Sequence, residues 1–231
     1  MRVLLNVGKT LSCTIIRRVN RFVVEVVAER RTGRAYITNT GRLEEYLREG
    51  RKGFCLPGGK KTDYRLFAIE EMGKGILIDT GMQMKAFERA VKFIPWLHTC
   101  KLVKRNVRVG RSLVDYLFCC KDGPFYLEVK SAVLRGNSYY AMYPDCPTER
   151  GRKHIKELMR LAISGTKAGI VFIAALPNIK KFKPYSKGDP EISRLLGNAL
   201  KIGVTVRAIG MYYEPQDGSI MLYSSDLPVE I

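Results

Sequence analysis

The sequence predicts an α/β (α+β) chain: a small closed β-barrel first, then a domain in which helices flank a mixed central sheet. Three observations carry this. Up to about residue 80 the apolar runs are short, rich in β-branched residues and separated by turn formers. From Gly81 onward helical and strand periodicities alternate. AGIVFIAAL, at 168–176, is a near-continuous apolar run, as a central strand covered on both faces should be. With 231 residues the chain can form one large domain or two small ones. The change of texture divides it into 1–80 and 81–231.

The elements of the first part follow from local signals. TIIRR (14–18), FVVEVVAE (22–29) and GRAYIT (33–38) are β-rich runs, the last two separated by the turn-like RRTG. In NTGR (39–42), Asn39 and Gly41 supply turn geometry. GRLEEYLREG (41–50) has the pattern of a short helix ended by Gly50. KGFCL (52–56), a PGGKKTD turn, YRLFAIEEM (64–72) and GILIDT (75–80) complete about six strands and one small helix. A small barrel of the oligonucleotide-binding (OB) type has the right size. Many functions sit on that fold, so it fixes none by itself.

In the second part, MQMKAFERAVKFI (82–94) places Met84, Phe87, Val91 and Ile94 on one helical stripe, opened by Asp79 or Thr80 and closed by Pro95. Three strand-like runs follow: LVKRNVRV (102–109), SLVDYLFCC (112–120) and FYLEVKSAVL (125–134), with turns at Gly110 and KDGP. A helix over roughly 148–164 has Ile155, Leu158, Met159 and Ala162 as its apolar face. After AGIVFIAAL come a helix near 190–202 and the strand VTVRAIGMYY.

Composition excludes several classes. No run of eighteen apolar residues predicts a membrane helix, and the amino end lacks a secretion signal, so a cytoplasmic protein with no membrane partner is expected. The six cysteines, at 13, 55, 100, 119, 120 and 146, form no C-x-x-C pair, and His98 and His154 are the only histidines. A zinc site is therefore not expected, and the cysteines read as packing residues, with a disulfide, as in a thermophile's cytosol, as the alternative. Forty Lys and Arg against 22 Asp and Glu give a formal charge of +18. The excess is spread over both parts, with 16 basic and 9 acidic residues before Gly81 and 24 and 13 from it onward. A polyanion is the natural partner.

Three charges interrupt otherwise apolar strands. Asp115 is flanked by Val114 and Tyr116 in SLVDYLFCC, and a carboxylate in such surroundings needs a partner or a purpose. In YLEVKSAVL (126–134), Glu128 and Lys130 share one strand face and Leu127 and Val129 the other. The two strands read as hairpin neighbours, so all three charges can meet on one face. A divalent cation, Mg2+ or Mn2+, between Asp115 and Glu128 would neutralise both carboxylates. Lys130 would then orient a water or stabilise charge on a phosphate. Glu88, at the margin of the first helical stripe, is a fourth candidate. The alternatives are a structural ion pair of Asp115 with Arg111 or Lys130, an exposed strand face for Glu128 and Lys130, and a solvated Glu88 paired with Lys85 or Lys92.

An Asp, about a dozen residues and then Glu-x-Lys, between a helix bearing Glu and a second helix, resembles the PD-(D/E)XK nuclease core. TNTGRL (38–43), VDYLF (114–118), YLEVKSAVL, YPDCPTERGRKHIKELMRLA (143–162) and the terminal LPVEI together resemble the sugar fermentation stimulation protein A family. That resemblance implies an OB-like nucleic-acid-binding barrel at 1–80, a nuclease-like domain at 81–231, non-specific DNA binding and a regulatory link to sugar catabolism of the maltose type. It carries the nuclease-type positions onto Asp115, Glu128 and Lys130, with Glu88 as a fourth. Tyr36 and Thr38 stand where the family often has His and Pro, so no role is assigned there.

The helix at 148–164 points to a polyanion independently. Arg150, Arg152, Lys153, Lys156 and Arg160 are balanced only by Glu149 and Glu157. Glu149, Arg150 and His154 are further candidates near the metal site, His154 as a general base, against the alternative of an ordinary exposed helix histidine. Arg17, Arg18 and Arg21, with Arg30, Arg31 and Arg34, suggest a basic barrel face where Tyr36 or Phe22 would stack bases, although Phe22 also reads as core. Two functions fit: a metal-dependent DNA nuclease acting on single- or double-stranded DNA, and a DNA-binding regulator that does not cut. A third option acts on RNA or nucleotides at the same site. No helix-turn-helix pattern is visible.

Overall fold

In the computed structural model, residues 1–58, 61–137 and 139–231 are described. The PGGKKTD turn includes Gly59 and Lys60, which lie outside them. The chain forms two compact units. Met1–Ala90 makes the first, together with Ala175–Asn178 and Gly210–Ser224; Val91–Ala174, Ile179–Ile209 and Ser225–Ile231 make the second.

The first unit is built on β2 (Leu11–Arg18), β3 (Val23–Ala28), β4 (Arg31–Tyr36), β5 (Lys52–Pro57) and β6 (Tyr64–Glu71). Their order is β4-β3-β2-β5-β6, and β4 also pairs with β6 in parallel, which closes a five-stranded barrel of OB type. Alternation explains the closure: Val24, Val26 and Ala28 of β3 are buried with Cys13 and Ile15 of β2 and Cys55 of β5. The β3–β4 turn is the two-residue Glu29–Arg30, both at positive φ (51° and 63°), rather than RRTG. β7 (Lys74–Leu77) returns along β6.

Two expectations fail here. GRLEEYLREG forms turns, not a helix: Leu43 adopts a left-handed φ of 50°, so the one helical hydrogen bond, Leu47 N to Leu43 O (2.9 Å), is not continued. Burial of Leu43, Tyr46 and Leu47 accounts for the helix-like spacing. Phe22 is not core; it is 45% exposed, and Tyr36 41%.

A strand without a clear sequence signal, β1 (Arg2–Asn6), pairs antiparallel with β16 (Ser219–Leu227) from the far end of the chain. α1 (Thr80–Ala90) starts on buried Asp79, whose Oδ1 accepts the Met82 amide at 2.8 Å while the carboxylate takes Arg65 through two hydrogen bonds of 2.6 and 2.7 Å. Its buried face is Gln83, Ala86, Phe87 and Ala90, so the expected stripe is rotated: Met84 and Val91 are only half-buried, and a 3-10 turn over Val91–Phe93 ends the helix.

In the second unit, β8 (Lys101–Val109), β9 (Ser112–Cys120) and β10 (Gly123–Ala132) form an antiparallel meander. α2 (Glu149–Ile163) crosses over to β13 (Lys167–Ala174), which pairs with β10 in parallel and is buried at every position after Lys167. β15 (Thr205–Glu214) borders β13. The sheet is therefore mixed and flanked by helices, in the expected order of helix, three strands, helix, strand. β11 (Leu134–Gly136), β12 (Tyr140–Tyr143) and β14 (Lys181–Pro184), too short to read from the sequence, make a second small sheet. α3 (Pro190–Ile202) is capped by Asp189 and ends on Gly203.

The reading of all six cysteines as packing residues holds for buried Cys13 and Cys55. Cys100 and Cys120 instead form a disulfide, and Cys119 is exposed. Alternation decides this, because neighbours on a strand cannot both face the core. No helix of the described residues is long and apolar enough to cross a membrane.

Candidate functional site

Asp115 and Glu128 meet where the β9–β10 ladder stops. The register runs from Gly123↔Cys120 to Leu127↔Tyr116, which makes Asp115 and Glu128 the next facing pair. There side chains replace the ladder: Glu128 Oε2 accepts the Asp115 amide (3.3 Å), and Asp115 Oδ2 accepts the Val129 amide (2.8 Å). Two carboxylates thus converge with their backbone donors satisfied.

Glu128 is only 1% exposed, which rules out a solvated strand face. Its Oε1 accepts from Lys130 Nζ and faces His154 Nδ1. Lys130 pairs with Glu128, so the alternative of a Lys130–Asp115 ion pair is not realised. Burial pushes the Glu128 carboxyl up, but Lys130 and His154 outweigh it and hold the group below its ordinary range. Burial pulls the Lys130 ammonium down, yet Glu128 more than compensates and it stays charged. Asp115 has no such partner at contact: burial, then the charge of Glu128, push it up to about 6. A buried pair of carboxylates short of positive charge is a donor set that fits a hard divalent cation. Among the described residues, no group of three or more His, Cys, Asp and Glu side chains is assembled to hold one.

His154 is buried at 3% exposure, not exposed as expected, because it lies on the inner face of α2 with Gly151, Ile155 and Leu158. Arg150 Nε donates to its Nε2 at 3.4 Å, so the ring proton sits on Nδ1, toward Glu128. Tyr143 was not among the expected residues. It is close enough to interact with Lys130 and Glu128, and burial raises its hydroxyl pKa. Gly151 makes this possible, since a Cβ there would lie 2.7 Å from the Tyr143 hydroxyl. The only sequence signal for Tyr143 was its place at the head of YPDCPTERGRKHIKEL.

Glu88 is half-buried on α1, in the first unit. Glu149 is exposed and bound to Lys153 (2.8 Å) at the surface, not in the cluster. Lys153, Lys156 and Arg160 are exposed along α2, Arg160 bonded to Glu157 (2.7 Å). Arg152 is committed to structure: its Nε binds both oxygens of buried Asp189 at 3.0 and 3.1 Å. In the barrel, Arg17 pairs with Glu25 (2.8 Å), and Arg21 lies 5.9 Å from the Phe22 ring. Arg18 spends its guanidinium on the carbonyls of Asn20, Arg21, Gly41 and Arg42, pinning the loop in which Asn39 makes the expected turn.

Comparison with known proteins agrees with both parts of the fold. Residues 16–78 match the model of the SfsA N-terminal OB domain, and residues 81–217 match that of the sugar fermentation stimulation protein RE domain. The sugar fermentation stimulation protein homolog of Pyrococcus furiosus is 51% identical over 231 residues, and that of Archaeoglobus fulgidus 45% over 229, each alignment covering 99% of both chains. The solved structure of Pyrococcus furiosus SfsA in complex with Ca2+ superposes over the full length of both chains with a TM-score of 0.96 at 50% identity. Barrel, mixed sheet and end-to-end similarity lead to one assignment: the chain belongs to the sugar fermentation stimulation protein family.

Proposed function

We propose that the protein binds DNA without sequence preference and hydrolyses its phosphodiester bonds at Asp115, Glu128 and Lys130, with a divalent cation held by the two carboxylates. The observation that carries this reading is the convergence of two carboxylates on one sheet face of a strongly basic chain. A protein that only binds DNA gains nothing from carboxylates where phosphate must approach, because they repel it. The Ca2+ in the Pyrococcus furiosus structure supports a divalent cation, and Mg2+ or Mn2+ suits hydrolysis.

When bound, the cation would neutralise phosphate oxygens and lower the pKa of water. The chain's own groups do the rest. Glu128, fixed by Lys130 and His154, keeps its carboxylate ionised and aimed toward Asp115. Lys130 is held protonated, so it acts as a hydrogen-bond donor to a phosphate oxygen or an attacking water, not as a base. His154 acts through Glu128 as a positioning residue.

One observation favours a second reading, a catalytically silent DNA-binding regulator of sugar catabolism: Glu128 is already paired with Lys130 and hydrogen-bonded to His154, as in a structural ion site. Cleavage of labelled single- and double-stranded DNA with Mg2+ or Mn2+ separates the two. Asp115→Ala and Lys130→Ala are each expected to lose about 100-fold or more in rate while retaining binding. A wild type that binds but cuts no better than the variants would establish the regulator. Preference for RNA in competition would move the reaction to that substrate.

A further inference from the structure

We infer that the β8–β9 turn and the first turns of α2 form a clamp for a DNA phosphodiester next to the one held at Asp115 and Glu128. This rests on the DNA reading above and names how the strand is held. A cleft of about 530 Å³ opens between these elements. Arg108 and Arg111 line it from the strand side, and Arg150 and Lys153 from the helix. Among the described residues the carboxylate on its wall is Glu149, which is paired with Lys153, so the cleft keeps a large positive excess. Three of the four cations are guanidiniums, whose forked donors match phosphate oxygens, and the positive end of the α2 dipole adds to the field.

Position makes the cleft specific. Its floor includes His154, whose Nδ1 faces Glu128 while Nε2 takes Arg150, so a single ring separates the cleft from the carboxylate cluster. Leu113, 46% exposed, lines the same wall and sits two residues before Asp115 on the same face of β9, a displacement of about 7 Å along the strand. An apolar contact there suits a sugar face between two phosphates. The turn is held in place: Gly110 has a φ of 54°, and a Cβ on it would meet the Glu157 carboxylate at 2.7 Å. Glu157 is therefore the stop against which α2 seats the arginine-bearing turn.

Binding of fluorescein-labelled single-stranded and duplex DNA to the full chain, measured by anisotropy across a KCl series with EDTA present, tests the clamp without any cutting. Arg108→Ala/Arg111→Ala is expected to bind about tenfold or more weakly, with the salt slope reduced by about one to two. Lys121→Ala/Lys201→Ala removes the same charge from exposed positions outside the cleft, and is expected to stay within about twofold of wild type. Equal losses in the two double variants would reduce the effect to net charge and overturn the clamp, as would a wild type that does not bind. If the predicted difference holds but the wild type never cleaves, the nuclease reading falls and the clamp stands. Both arginines are exposed, and thermal midpoints read alongside confirm that each variant folds.

Discussion

Lys130 is the residue on which the cluster balances. Its ammonium and His154 are the partners of a carboxylate almost wholly removed from water, and a buried charge stripped of a partner is costly. Lys130→Met is expected to destabilise the protein by about 3 kcal/mol, a fall in thermal midpoint of about 6–12 °C for a chain of this size. Glu128→Gln/Lys130→Met should recover most of that loss, since Glu128 no longer carries a charge that lacks its partner. Urea unfolding of the wild type, the two single variants and the double variant measures the coupling; strictly additive losses would show that the pair is not a unit. The sequence pointed to Asp115, Glu128 and Lys130 because charges inside apolar strands stand out. It could not show that Glu128 has a second side-chain partner, because His154 arrives from a helix 26 residues later.

Two helices of the second unit are joined by one carboxylate. Asp189 caps α3 through the amides of Glu191 and Ile192, accepts the Thr148 amide at the start of α2 (2.9 Å) and binds Arg152. Burial alone would raise its pKa, but the Thr148 amide, Arg152 and the Ile192 amide outweigh it and hold the group below its ordinary range. The folded value therefore lies under the unfolded one. The stabilisation is fully present above about pH 4 and is lost as the pH falls through the folded value. Asp189→Asn should be less stable at pH 7 by about 2–4 kcal/mol and show a flatter acid limb in a pH series of unfolding midpoints.

The β8–β9 hairpin is closed at both ends, by the Gly110 turn and by the Cys100–Cys120 disulfide, which are 20 residues apart in sequence. For a loop of that length, Cys120→Ser, or reduction of the wild type, is expected to cost about 3 kcal/mol, read as a lowered midpoint in dithiothreitol. These features were only partly legible. Asp189-Pro190 is a recognisable helix start, whereas the Arg152 contact joins residues 37 apart and the disulfide depends on register.

The chain returns to its beginning. Tyr213, fully buried, packs edge-on against Phe54 (5.1 Å) and Phe67 (4.8 Å), hydrogen-bonds Thr10 (3.0 Å) and pairs with Gly75. Tyr213→Ala is expected to cost about 3–5 kcal/mol, although the residue lies more than 130 positions beyond the barrel strands. A fragment ending at residue 80 lacks Tyr213 and the β16 strand that pairs with β1, so its circular dichroism and amide dispersion should show loss of the ordered barrel. A native-like spectrum would show that the barrel holds without them.

Periodicity, turn residues and charge alone were enough for the class of the fold, the order of its main elements, the three charged positions on β9 and β10 and the basic face of α2. Each of these rests on side chains within one or two turns of one another, where spacing translates directly into geometry. The β1–β16 pairing, the small β11-β12-β14 sheet, the burial of His154, the exposure of Phe22 and the commitment of Arg18 and Arg152 to structure came from folding. The reason is the same in each case. Which partner a side chain finds depends on which distant segment packs against it, and a local pattern holds no record of that segment.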